Sequence, residues 1–249
     1  ASNLILASVR ENPPSPPDTS FIQLNSLCNV IMPGEYVLLS KVFNKIDNYY
    51  DCSSTEKYIE MGSFPSYSNE KGTVLLLDGA HTVIDEFSYH EDMQHPLLNH
   101  IEGVSLERIH FNRPSFDNTN WHSASQLSGF GTPGYCNSQY AEGNANRGSI
   151  HIDPLAFTPG YDGKEDHTNI CYELNKSGYL ATIIILSASG QICRHLVNNE
   201  LLGSSGCYSW NGIDDHNQKA ASGIYIILAE LIHPEGDVLR FKETVIVAM

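Results

Sequence analysis

The chain has 249 residues, 41% of them hydrophobic, which is enough to build a core in each of two modest domains and too much for a disordered chain. Its 14 lysines and arginines stand against 29 aspartates and glutamates, a formal net charge of −15, and no basic run supplies the positive face that a phosphate backbone demands, so nucleic-acid binding is not expected. The longest apolar run, around Ile183–Leu186, is strand-sized and far short of the roughly 18 apolar residues of a membrane span.

In chain order, Ser2–Val9 reads as a short strand with Leu4 and Leu6 on one face. Arg10–Asp18 carries four prolines, which remove backbone donors and bias their neighbours to extended conformations, so it reads as a surface loop. Phe21–Leu24 is a second short strand, and the Pro33-Gly34 turn leads into a third that ends at Ser40. Lys41–Tyr50 reads as a short helix. The β-branched and aliphatic run Thr73–Leu77, the turn Asp78-Gly79-Ala80-His81 and the alternation of Thr82–Tyr89 make a hairpin signal.

The polar stretch Asn144–Gly148 marks the boundary between domains, giving units over 1–140 and 149–249 joined by a linker at 141–148. The second unit has strand signals at Ile150–Ile152, Thr168–Leu174, Leu180–Ser187, Ile192–Leu196, Gly206–Trp210, Gly223–His233 and Arg240–Ala248, a number that suits a seven-stranded sandwich. Tyr208 and Trp210 share one face of their strand and are expected in its interior. The run Ile224–Ala229 is apolar on both faces and is expected at the centre of a sheet.

Two resemblances agree with this division. Ile84-Asp85-Glu86-Phe87-Ser88-Tyr89, Gly103-Val104-Ser105-Leu106-Glu107-Arg108, Asn120-Trp121-His122-Ser123-Ala124 and Gly131-Thr132-Pro133-Gly134-Tyr135, with the earlier Pro33-Gly34-Glu35-Tyr36-Val37, resemble bacterial lamin-tail domains. In the second unit, Phe157-Thr158-Pro159, Gly178–Ile183, Gly190-Gln191-Ile192, Trp210-Asn211-Gly212 and Ser222-Gly223-Ile224-Tyr225 resemble the immunoglobulin-like domain of flagellar hook-capping proteins. The resemblances imply an all-β chain of two immunoglobulin-like β-sandwiches in tandem, in a secreted or surface protein of Gram-negative bacteria, hence an extracytoplasmic location. Lamin-tail domains open with two further strands, so the resemblance also implies partners: the missing N-terminal part of the same polypeptide, or other protein chains that add strands along an open edge beside Ser2–Val9. Closure by Phe21–Leu24 or Tyr58–Met61 is the alternative.

Site chemistry is sparse. Relatives of the second unit carry an Asp-rich calcium loop after Phe-x-Pro; here Gly160 replaces its first Asp, leaving Asp162, Glu165 and Asp166 as candidate calcium ligands, with a solvated acidic turn as the competing reading. Of six cysteines, Cys28, Cys52, Cys136, Cys171, Cys193 and Cys207, no two have CxxC spacing. With Ile170, Tyr172 and Leu174 facing inward on one strand and Tyr208 and Trp210 on another, Cys171 and Cys207 both face outward. In an exported protein this parity predicts a cross-strand disulfide between them, against the alternative of reduced, buried thiols.

His90 and His95 are five apart, which fits neither the one helical face of a zincin motif nor one face of a strand. His122 reads as structural, and no nucleophile elbow, P-loop or dinucleotide fingerprint occurs. The expected function is therefore a non-catalytic structural or adhesive module pair without a cofactor. The alternative is a module that binds carbohydrate or another extracellular ligand, for which Tyr49, Tyr50, Tyr67, Tyr89 and Trp121 would have to form an aromatic platform. A hydrolase fragment would need a His-Asp pair or converging carboxylates.

Overall fold

A computed structural model describes residues 4–10, 18–23, 31–141, 148–160 and 165–248. The proline-rich loop at 11–17, Cys28, the linker residues 142–147 and Asp162 lie outside the described residues. The chain is all-β in class, and it divides into two compact units, Ala1–Ala124 with Ser128–Tyr140 and Ser125–Leu127 with Ala141–Met249. No helix among the described residues is long and apolar enough to cross a membrane.

The first unit contains β1 (Ile5–Arg10), β2 (Asp18–Gln23), β3 (Leu38–Ser40), α1 (Phe43–Asp47), β4 (Tyr58–Glu60), β5 (Lys71–Leu77), β6 (Val83–His90), β7 (Leu106–Arg108) and β8 (Trp121–Ser123). β2, β1, β5 and β6 form an antiparallel sheet in that order, while β3 and β4 make a parallel pair and β7 and β8 an antiparallel one. β1 is thus paired on both sides, with Ser8 opposite Ser20 of β2 and Val74 of β5. The open edge expected beside Ser2–Val9 is occupied by the strand predicted at Phe21–Leu24, because β1 is apolar on both faces and needs an interior position. Leu6 packs with Val74 and Leu76 against Leu39, Ile59 and Met61. Ile5 and Ala7 on its other face cluster with Leu75 and Leu77.

The later part of this unit has little apolar material and is held by hydrogen bonds instead. The Glu107 carboxylate is buried and accepts from the Thr132 hydroxyl at 2.6 Å, the Ser138 hydroxyl at 2.7 Å and the Gln139 backbone N–H at 3.1 Å. Gln139 in turn donates from Nε2 to the Ser123 carbonyl at 2.8 Å. The Ser123 hydroxyl accepts from the His95 backbone N–H and donates to Gln94 Oε1 at 2.6 Å. Trp121 stacks on Phe87 with ring centroids 3.6 Å apart and donates from Nε1 to the Ser115 carbonyl.

The second unit contains β9 (Ser149–Asp153), β10 (Ala156–Phe157), β11 (Thr168–Glu173), β12 (Leu180–Ser187), β13 (Ile192–Leu201), β14 (Ser205–Trp210), β15 (Gly223–Ile232) and β16 (Val238–Val247). One sheet has the order β10-β16-β15-β12-β13 and the other β14-β11-β9, which makes a sandwich. Ile152, Ile170, Tyr172 and Trp210 of the smaller sheet share one core with Ile183, Ile185, Tyr225, Ile227 and Val245 of the larger. β15 sits inside its sheet between β12 and β16, as its two apolar faces require. Edge strand β13 shifts register against β12 at three places, skipping Cys193, Leu196 and Asn199. The two-residue β10 pairs in parallel with the end of β16.

Two variants test which interactions hold each unit. Trp210 is buried with its ring 5.4 Å from that of Phe157 and 5.2 Å from that of Tyr225, and its Nε1 donates to the Ile213 carbonyl. Trp210→Ala is expected to lower stability by about 3–5 kcal/mol in denaturant unfolding followed by circular dichroism, and a loss below about 1 kcal/mol would show that the site is not core. Glu107→Gln exchanges an acceptor-only carboxylate for an amide facing two hydroxyls and an N–H. It is expected to cost about 1.5–3 kcal/mol, measured in the same way.

Candidate functional site

The candidate calcium ligands fall at the loop that follows β10. Asp162 lies outside the described residues; Glu165 is exposed with φ 48°, and its carbonyl accepts from the Thr158 N–H at 2.9 Å, which closes the loop. Asp166 is half-buried beside a hollow of about 100 Å³ that it shares with His167, Asn211 and Lys219. The Lys219 ammonium reaches the Pro159 carbonyl at 3.4 Å, so a cation already belongs to this hollow.

A tighter acidic group that the sequence analysis missed lies at the turn between β15 and β16. Ligand atoms of His233, Glu235 and Asp237 lie within 4.8 Å of one another. The Lys176 ammonium lies 2.9 Å from Glu235 and 2.5 Å from Asp237, holding both carboxyls below their usual range. His233 is pushed down by burial and then by Lys176; its Nε2 faces the Ser177 carbonyl at 3.1 Å and its Nδ1 accepts from the Glu235 N–H. This is a neutral imidazole and an ammonium closing a turn. The spacing of His233, Glu235 and Asp237 at every second residue is visible in the sequence, but the contact with Lys176 is not, because Lys176 comes from a different connection.

The arrangement that a hydrolase would need is partly present. His195 Nδ1 lies 2.6 Å from Asp215 Oδ2, and this hydrogen bond holds the Asp215 carboxyl below its usual range. The same carboxylate, however, accepts the His195 backbone N–H, and the Asp215 backbone N–H donates to the Cys193 carbonyl. Asp215 therefore caps the irregular edge of β13. Cys193, two residues earlier, packs against the core, and burial pushes its thiol up, away from the thiolate a nucleophile requires. His90 is exposed and holds the Asp92 N–H, whereas His95 is buried with its ring 5.4 Å from that of His122, so these histidines do not converge on an open site.

Cys171 and Cys207 are joined by a disulfide, directly opposite each other on β11 and β14 with Cα atoms 4.0 Å apart. Ile170, Tyr172 and Trp210 are buried on the other face of the same strands, and Tyr208 packs against the core from an intermediate position.

Of the five aromatic platform candidates, Tyr67 and Tyr89 come together. They line a cleft of about 500 Å³ with Ser8, Ser68, Thr73 and Ser88, at the end of the four-stranded sheet. The Tyr67 hydroxyl donates to the Ala7 carbonyl at 3.2 Å and the Tyr89 hydroxyl to the Ser68 carbonyl at 2.5 Å. Burial pushes both phenols up, that of Tyr67 to about 12. Gly72 lets the Tyr89 ring lie close against β5, since a Cβ there would be 2.6 Å from the Tyr89 hydroxyl. Tyr49 is exposed, Tyr50 donates to the Gly103 carbonyl and Trp121 lies against Phe87, so these three do not line it.

No protein-family model matches the sequence, and no curated protein matches it. Among solved structures, the fold is similar to part of dimeric latent PorU from Porphyromonas gingivalis, with a TM-score of 0.30 and 11% identity over 74% of this chain and 13% of that one. It is also similar to part of PorZ, an essential surface component of the type-IX secretion system of the same organism, with a TM-score of 0.30 and 13% identity over 72% of this chain and 21% of that one. The chain thus spans about a fifth or less of the length of either protein.

Proposed function

We propose that the chain is a non-catalytic structural module pair of an exported protein, acting at the cell surface or outside the cell in company with other protein chains or with further parts of its own polypeptide. The observation that carries this reading is the Cys171–Cys207 disulfide. Both sulfurs belong to the outward face of the smaller sheet, where Cys171 is half-buried and Cys207 exposed. A bond so accessible to thiol exchange persists in an oxidising compartment and is reduced in a cytoplasm. The use of the Glu107 carboxylate, the Ser123 hydroxyl, the Gln139 amide and the His95 imidazole, which accepts from the Leu97 N–H, as internal ties supports the non-catalytic part, because side chains with the chemistry of a site hold loops together instead. The resemblance of the two units to lamin-tail and hook-capping domains points the same way.

Peptide mapping without reduction, on protein recovered from its source, should find Cys171 linked to Cys207 in an extracytoplasmic fraction that contains co-purifying chains. A reduced pair in a cytoplasmic fraction would overturn the location, and turnover of a substrate lost in His195→Ala would overturn the non-catalytic role. The bond closes a loop with a sequence separation of 36, so replacing both cysteines by serine should cost about 2–4 kcal/mol in denaturant unfolding.

A second reading, binding of a carbohydrate, has one observation in its favour, the hydroxyl-lined cleft between Tyr67 and Tyr89. Its volume lies in the range of small-ligand sites. Under this reading a glycan array gives a signal that Tyr67→Ala removes while circular dichroism is unchanged. An array on which the wild-type chain binds nothing removes the reading.

A further inference from the structure

A hollow in the first unit is lined by a negative charge that hydrogen bonds hold but do not neutralise. The hollow measures about 400 Å³ and lies between β3, α1, β7 and the stretch that follows β8. Glu107 lines it and is 3% exposed. Three neutral donors hold its carboxylate: the Thr132 hydroxyl on Oε1, and the Ser138 hydroxyl with the Gln139 N–H on Oε2. Hydrogen bonds of this kind replace lost water, but a full negative charge taken out of water also calls for an opposite charge. Among the described residues no lysine, arginine or histidine forms a salt bridge with Glu107. The guanidinium of its neighbour Arg108 is turned instead to Asp85 and to the Phe111 and Arg113 carbonyls. The charge is felt nearby, where burial, then the Asp51 and Glu107 carboxylates, push the Tyr135 phenol up.

We propose that this hollow binds a primary ammonium on an aliphatic stem, the chemistry shared by a lysine side chain and a small diamine. Glu107 Oε1 accepts a single hydrogen bond and has a lone pair left for a further donor, whereas Oε2 already accepts two. One available oxygen suits an ammonium, which acts as a point charge; a guanidinium asks for both oxygens at once. Ser105 and Asn137 line the same hollow, and Asn137 spends its Nδ2 on the Arg108 carbonyl, so its side-chain oxygen is an acceptor for the remaining ammonium hydrogens. A metal ion is served less well, since calcium takes about six to eight oxygens, and Leu38, Ile46 and Pro133 supply apolar wall in their place. That wall matches a run of methylenes. The Tyr50 ring adds an aromatic side, packed so closely on Gly131 that a Cβ there would lie 2.6 Å from the ring. The net charge of −15 favours the approach of a cation. The proposal depends neither on export nor on the carbohydrate reading, which concerns the separate cleft between Tyr67 and Tyr89.

Isothermal titration calorimetry of the whole chain at low ionic strength tests it, with diaminopentane, a lysine capped at both ends, butylguanidine and pentanol as probes. Both amines should bind saturably at a single site. Pentanol, which keeps the stem without the charge, should bind roughly tenfold or more weakly than diaminopentane, and butylguanidine should also bind more weakly. Tighter binding of the capped lysine would assign the site to a lysine of a protein chain, tighter binding of diaminopentane to a free amine, and either result supports the proposal. Glu107→Gln should remove the binding heat. Because that variant also loosens the fold, Ile46→Trp is the second; α1 holds no buried residue, so the indole fills the hollow and should remove binding with unchanged circular dichroism. A wild-type chain that takes up neither amine overturns the proposal. So does pentanol binding as tightly as diaminopentane, or amine binding that Ile46→Trp leaves unchanged.

Discussion

The period of two along a β-strand is the constraint from which the second unit follows. On β11 and β14 it sends Ile170, Tyr172 and Trp210 to one side and Cys171 and Cys207 to the other, and the two strands meet in the one register that satisfies both sets. A slip of one residue would put Trp210 into water and separate the two sulfurs. The apolar ring system of Phe157, Trp210 and Tyr225 fixes the same register from the other sheet, since each ring reaches its neighbours from a different strand or the turn beside it. The crosslink and the core are therefore two consequences of a single alternation, and neither can move without the other.

The first unit solves the opposite problem. It has a four-stranded sheet with β1 and β5 in its interior, but its later half offers few apolar side chains to pack. A buried carboxylate with three donors is an adequate substitute only because both oxygens that leave water find partners. Glu107 lies on β7, Ser123 on β8, and Thr132, Ser138 and Gln139 in the stretch that follows, so the hydrogen bonds do the work of sequence-distant packing. Residues of the Trp-His-Ser-Ala and Thr-Pro-Gly segments are recognisable as a pattern for this reason: they are the ties.

What the sequence made legible follows the same division. Strands of six to ten residues stand out, β11 by its alternation and β12 and β15 by apolar runs bounded by turn signals, and the parity of Cys171 and Cys207 is readable with them. β10 was not, because two residues carry no period and its partner lies some ninety positions later at Ile246 and Val247. The place of β1 between β2 and β5 was open to two readings, since a strand apolar on both faces says that it has neighbours but not which. The Lys176, Glu235 and Asp237 contact, the Asp215 cap and the cleft between Tyr67 and Tyr89 depend on loops brought together by the fold, and no local spacing announces them.

The treatment of β13 has a consequence for how the molecule behaves when crowded. A regular edge strand is a template on which further strands can align, and chains that carry one tend to polymerise. Here three extra residues disrupt the ladder of β13, and the Asp215 carboxylate occupies the His195 N–H that an incoming strand would seek. The unit can accumulate at high local density, as proteins at a cell surface do, without nucleating fibrils along that border.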